Sequence, residues 1–174
     1  LLTGKEVDPI QSPVREVFLN RGLDRESRIT VAIKRKTRAS LIESDLIVFA
    51  QGSFYSSLLA NVLPKGVGSA IADSQAKKVW IPNLGVDPEQ MGLSFEESLI
   101  RLVDTLLNDA GSAEPQDVLT HVVIHPSASY QGEIPFEMMA KMGIVPVYLE
   151  QTDRGGFCPK ALSETLCSLA LADL

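Results

Sequence analysis

Short apolar runs recur along this chain, separated by stretches whose apolar positions fall three and four residues apart. Leu46-Ile47-Val48-Phe49 and His121-Val122-Val123-Ile124 are nearly unbroken, as strands covered on both faces should be. Ile29-Thr30-Val31-Ala32-Ile33 is rich in branched residues and reads as a strand. Lys78-Val79-Trp80-Ile81 is another, ended by Pro82. Val145-Pro146-Val147-Tyr148-Leu149 is the last, and Pro146 suggests an edge position or the start of the strand.

The intervening segments carry helix signals. The plainest helix starts after Ser94. Ser94-Phe95-Glu96-Glu97 is a capping box, in which the hydroxyl bonds the third amide and Glu97 reaches back. Phe95, Leu99, Leu102, Val103, Leu106 and Leu107 then share one stripe, and Gly111 is a natural stop. Shorter helices are expected over Arg38–Ser44, Tyr55–Leu63, Gly68–Asp73, Pro135–Met142 and Ala161–Leu171. Pro135 falls near the first turn of its helix and Gly143 after the end.

Strands that alternate with helices imply an α/β fold, with a mostly parallel sheet and helices on both faces. The pattern divides the chain into an irregular segment, 1–28, broken by Pro9, Pro13 and Gly22, and an α/β domain, 29–174. Leu1-Leu2-Thr3-Gly4-Lys5 is neither a usual start nor a secretion signal, so the chain is expected to be a piece of a longer protein.

Composition narrows the function. The 174 residues are 45% apolar and 22% charged, which argues against disorder. Sixteen basic and 22 acidic residues give a net charge of −6. That balance does not suggest a nucleic-acid binder, and an anionic substrate would need local positive groups. No run reaches the ~18 apolar residues of a membrane span. Cys158 and Cys167 lack the companions of a zinc site and are expected to be reduced thiols of a cytoplasmic protein.

Ligands of open parallel sheets bind beyond the carboxyl ends of the strands, so the loops after Phe49, Ile81 and Ile124 are the candidates. Ala50-Gln51-Gly52-Ser53-Phe54-Tyr55-Ser56-Ser57 leaves a strand and opens a helix. Its small residues would let backbone amides approach an anion, with hydroxyls from Ser53, Ser56 and Ser57 and the Tyr55 ring nearby. The same residues also suit a plain tight turn with a serine cap. After the next strand, Asn83 and Gly85 would face the same cleft. Asp87 and Glu89 there are candidate metal or hydroxyl ligands, or simple turn chemistry. His125 stands just past a strand, where a proton-transfer group or a polar strand end would sit. His121 falls at the opposite end of its strand. Lys34-Arg35-Lys36 and Arg38 either neutralise a phosphate or form a solvated turn. No Gly-Lys-Ser/Thr phosphate loop and no Gly-x-Ser-x-Gly elbow is present.

The stretch Asp45-Leu46-Ile47-Val48-Phe49-Ala50-Gln51-Gly52-Ser53-Phe54-Tyr55-Ser56-Ser57, with Asn61-Val62-Leu63 after it, resembles the YvcK/CofD family. The likeness continues through Lys65-Gly66-Val67, Ala70-Ile71 and Ala76-Lys77-Lys78-Val79-Trp80-Ile81-Pro82-Asn83. It returns at Gly132-Glu133-Ile134-Pro135. Ala50 and Gln51 depart from the family's Gly-Pro, the segment after Asn83 differs, and the family's N-terminal Gly-rich phosphate loop is absent. The resemblance therefore implies the C-terminal portion of a Rossmann-like, CofD-like domain.

The family includes a transferase that moves a phospholactyl-type group from a guanosine diphosphate carrier to a deazaflavin, with magnesium. It also includes YvcK-type proteins that bind UDP-sugars and are tied to carbon metabolism and cell shape. The loop Gln51–Phe54 lacks the transferase's Pro-Ser-Asn-Pro pattern, so the YvcK side fits better. The resemblance implies a nucleotide-diphosphate ligand, a regulatory role, Mg2+ beside the nucleotide, and a chain that admits a homodimer. By that resemblance Gly52, Ser53, Tyr55, Ser56 and Asn83 would line the nucleotide cleft; Gln51, Ser57 and Gly85 join them from their place in the same loops, with His125 and Asp87 as candidate catalytic groups for the transferase.

Overall fold

Residues 10–23, 26–85, 87–149 and 156–172 are described by the computed structural model. Four strands, β1 (Leu46–Phe49), β2 (Lys77–Trp80), β3 (His121–Ile124) and β4 (Val145–Tyr148), form one parallel sheet in that spatial order. Phe49 lies beside Trp80, Trp80 beside Val122, and Ile124 beside Tyr148. Pro146 does fall in an edge strand. An imide without N–H is tolerated there because only one side of the strand is paired.

The helices are α1 (Arg35–Ile42), α2 (Ala60–Val62), α3 (Val67–Asp73), α4 (Phe95–Ala110), α5 (Pro115–Val118), α6 (Phe136–Lys141) and α7 (Pro159–Leu171), with a π-helix over Phe54–Leu59 leading into α2. Each strand steps to its neighbour in the same direction. Right-handed crossovers therefore place the connecting helices on one face. That face carries the main core, where Ile47, Phe49, Trp80, Val122 and Ile124 meet Leu99, Leu102, Leu106 and Met139. On the other face Val79, Ile81 and Val123 meet α7 through Ala161, Leu162, Leu166 and Leu169. Helices cover both faces, and unequally.

The α4 cap forms as its sequence implies. The Glu97 amide donates to Ser94 Oγ (3.1 Å), and the Ser94 amide donates to the Glu97 carboxylate (2.8 Å). Gly68 lets α3 lie directly on α4, since a Cβ there would stand 2.1 Å from the Leu106 carbonyl oxygen.

Some expectations are corrected. Ile29–Ile33 is not a sheet strand. It forms one isolated parallel bridge, Ala32 with Lys65, and Val31 is exposed. Branched residues favour extended backbone, yet among the described residues no partner strand lies beside this segment to complete a ladder. The next helix begins at Arg35, so Arg35, Lys36 and Arg38 belong to α1. Arg38 is committed there to Asp73 and to Ser69 Oγ of α3. The four-residue α5 carries no amphipathic stripe long enough to read, although Pro115 opens it. Within the segment 1–28, Val14 and Val17 pack against the main core. Pro9 falls outside the described residues.

Candidate functional site

The loops leaving β1 and β2 are tied to each other beyond the end of their ladder. Backbone pairing ends with the Ile81 amide on the Phe49 carbonyl (2.9 Å). Side-chain amides then continue it. Gln51 Nε2 donates to the Pro82 carbonyl (3.2 Å). Asn83 accepts the Gly52 amide at Oδ1 (3.2 Å) and donates from Nδ2 to the Gly52 carbonyl (2.8 Å). Asn83 thus copies a peptide group and pins Gly52 in place.

The following loop is clamped onto the π-helix. Asp87, 5% exposed, accepts the Phe54 amide at Oδ2 (2.6 Å) and the Glu89 amide at Oδ1 (3.0 Å). Glu89 Oε2 accepts the amides of Tyr55 (3.1 Å) and Ser56 (2.9 Å), and its Oε1 accepts the Ser56 hydroxyl. The first amides of a helix lack partners within it and favour negative charge. Here two carboxylates from the neighbouring loop supply both.

A cleft runs between these loops and the one that follows β3. Its inner end holds about 50 Å³ beside Trp80, Phe95, Gln90, Ser98, Tyr130 and Gln131. Trp80 and Phe95 pack at 5.3 Å between ring centroids, and Phe95 and Tyr130 at 5.0 Å. Gln90 Nε2 donates to Ser98 Oγ (2.9 Å), which donates to the Ser94 carbonyl (2.8 Å). The Gln131 amide, assigned by its surroundings with its nitrogen toward two carbonyls, donates to Leu93 (2.7 Å) and Gln90 (3.1 Å). Outside, the cleft widens into a groove of about 390 Å³ bordered by Gln51, Ser53, Asn83, Gly85 and Asp87.

Of the residues singled out from the sequence, Gln51, Gly52, Ser53, Asn83, Gly85 and Asp87 border this cleft or groove. Tyr55, Ser56 and Ser57 line neither. Tyr55 is buried beneath the Arg101 guanidinium, 5.5 Å from its ring centroid, and burial pushes its phenol pKa above the ordinary value. Ser56 faces Glu89. Ser57 borders a separate apolar groove with Ile33 and Ile47. Helical winding turns successive residues about the axis, so a run of four polar or aromatic positions cannot share one cleft.

His125 is 6% exposed and organises its own turn. Its amide donates to the Tyr130 hydroxyl oxygen (2.9 Å), and its Nδ1 accepts the Ser127 amide (3.1 Å). It borders neither the cleft nor the groove. Burial pushes the Tyr130 phenol above its ordinary pKa, a shift the His125 amide partly opposes. Trp80, Gln90 and Gln131 border the cleft without having been singled out. The capping box fixed the neighbourhood of Gln90 and Gln131, but no local motif marks either one.

The donor set does not fit a magnesium site. Asp87 and Glu89 face backbone amides, and no three ligating side chains come together among the described residues. None of the described residues bordering the cleft or the groove is Lys, Arg or His.

This site lies at the rim of a fold already known from other proteins. A family model described as 2-phospho-L-lactate transferase CofD matches residues 6–153. The chain belongs to the CofD family.

Its curated CofD-family relatives include gluconeogenesis factors. It is 40% identical over 73 residues to a putative gluconeogenesis factor of Thermotoga maritima, covering 42% of this chain and 21% of that protein. It is 30% identical over 111 residues to one of Nostoc sp., covering 63% and 22%. A gluconeogenesis factor of Listeria innocua is 28% identical over 116 residues, covering 61% and 34%. A solved UPF0052-family protein of Bacillus halodurans superposes with a TM-score of 0.61 at 18% identity, over 78% of this chain and 46% of that one. The chain thus spans less than half the length of each of these relatives. The structural likeness carries the α/β fold alone. No helix among the described residues is long and apolar enough to cross a membrane.

Proposed function

We propose that this chain forms one wall of a nucleotide-ligand site in a protein with a regulatory role in carbon metabolism or the cell envelope. The ligand of this reading is a UDP-sugar or a related nucleotide diphosphate, bound in the cytoplasm. One observation carries it: the side chain of Asn83 fixes Gly52 so that two strand-end loops frame a single cleft at the carboxyl rim of the sheet. That rim is where open α/β sheets take their ligands. The gluconeogenesis factors among the relatives support the link to carbon metabolism.

A second reading is a CofD-like transferase that moves a phospholactyl group from a nucleotide-diphosphate carrier to a deazaflavin. The description of the matching family model favours it. Phosphoryl-type transfer rests on positioning and on relief of phosphate charge, so this reading needs cations from beyond the cleft described above.

Thermal unfolding of the protein at its full natural length, with UDP-sugars, UDP and GDP and with or without magnesium, separates the readings. A ligand at 100 times its dissociation constant adds about 2.7 kcal/mol. Stabilisation by UDP-sugars supports the regulatory reading. Stabilisation by GDP that requires magnesium supports the transferase. No stabilisation by any of them overturns both.

A further inference from the structure

We propose that the groove over the ends of β1 and β2 receives the neutral, hydroxyl-bearing part of its ligand, a nucleoside or sugar ring, and leaves the phosphates outside. The inference rests on the nucleotide-ligand reading above and specifies which part of such a ligand this wall holds.

The electrostatics of the groove decide it. A buried phosphate needs amides, a helix dipole or basic side chains to replace its water. Four amides at this rim are already taken. Gly52 donates to Asn83, Phe54 to Asp87, and Tyr55 and Ser56 to Glu89. Among the described residues the ionisable side chain bordering the groove is Asp87, whose charge repels an anion. No bordering residue among those described brings a cation. The basic stretch at the start of α1 borders neither space, and Arg38 is paired with Asp73.

What the groove does offer suits hydroxyls. Among the described residues the Ser53 hydroxyl makes no side-chain hydrogen bond, and Gln51 donates from Nε2, which leaves its Oε1 to accept. A hydroxyl-bearing ring donates to the Gln51 oxygen and accepts from Ser53. The space, about 390 Å³, falls low in the ~300–1,000 Å³ range of small-molecule sites.

Amide chemical shifts of the 15N-labelled protein, titrated separately with uridine, glucose and inorganic pyrophosphate at matched millimolar concentrations, test the assignment. The expected result is saturable movement of the Gln51, Asn83 and Gly85 signals with uridine or glucose, and no movement of them with pyrophosphate. Movement of these signals with pyrophosphate overturns the proposal while keeping the cleft as a ligand site. If none of the three probes moves them, the proposal fails together with the placement of the ligand at this rim.

Discussion

The Glu89 carboxylate accepts both the backbone amide and the hydroxyl of Ser56. A loop that follows β2 therefore caps the helix that follows β1, across 33 residues of sequence. Replacing Glu89 with alanine leaves the Tyr55 and Ser56 amides to water and frees the loop. Loss of a helix cap costs about 0.5–2 kcal/mol, so Glu89→Ala should lower stability in urea by that amount. A Glu89→Ala protein as stable as the parent shows that water caps the π-helix equally well.

Asn83 acts by shape as well as polarity, because its amide imitates a peptide group against Gly52. Asn83→Asp keeps the size but replaces the Nδ2 donor with an oxygen facing the Gly52 carbonyl. We expect a loss of about 1–3 kcal/mol, the usual cost of an unsatisfied polar pair. Asn83→Asp should also respond more weakly to any ligand that stabilises the parent. Equilibrium unfolding and ligand-dependent melting measure the two effects.

Gly68 permits a close contact of α3 on α4. A methyl group there meets the Leu106 carbonyl at 2.1 Å, and backbone cannot swing aside as a flexible side chain can. Gly68→Ala should destabilise by about 1–3 kcal/mol, the range for overpacking, despite alanine's better helix propensity. Stability gained on this substitution excludes the tight α3–α4 contact.

The two faces of the sheet predict unequal sensitivity. Leu102 is fully buried in α4, while Leu171 in α7 is 62% exposed. Leu102→Ala should cost about 2–5 kcal/mol as transfer and cavity terms add. Leu171→Ala should change stability by less than about 0.5 kcal/mol. Denaturant midpoints of the two variants check the contrast.

His121, at the start of β3, gives the fold an expected sensitivity to acid. Burial, then the neighbouring Lys77 charge, hold its imidazole pKa below the ordinary 6.5. As pH falls through that ordinary value, the unfolded chain takes up a proton and the folded chain does not. The stability associated with the neutral ring is therefore present above the unfolded pKa and declines below it. His121→Asn should lose less stability than the parent between about pH 7.5 and 5.5, where an unperturbed histidine titrates. Parallel losses in both proteins would assign the acid sensitivity to carboxylates.

The strands at 46–49, 77–80, 121–124 and 145–148 were legible because each contains or adjoins a short apolar, branched or aromatic run bounded by turn residues. The helix after Ser94 was legible because its cap and its stripe are local patterns. The segment Ile29–Ile33 misled because branched residues report a preference for extended backbone and say nothing of a partner strand. At the site, Gln51, Gly52, Asn83 and Gly85 were legible from their place after strands. Tyr55, Ser56 and Ser57 were not separable from them, because which side of a helix faces a cleft depends on where the helix lands.

The sequence by itself determined the α/β alternation, the parallel sheet, the capped helix and the rim on which a ligand would rest. Those follow from periodicity, turn chemistry and chain chirality, all of which act over a few residues. The tertiary structure alone decided that Asp87 and Glu89 turn toward the π-helix rather than toward a metal. It alone decided that no cation borders the cleft among the described residues. The physical reason is that charge compensation is settled by proximity in space. The amides that Glu89 satisfies lie more than thirty residues away along the chain.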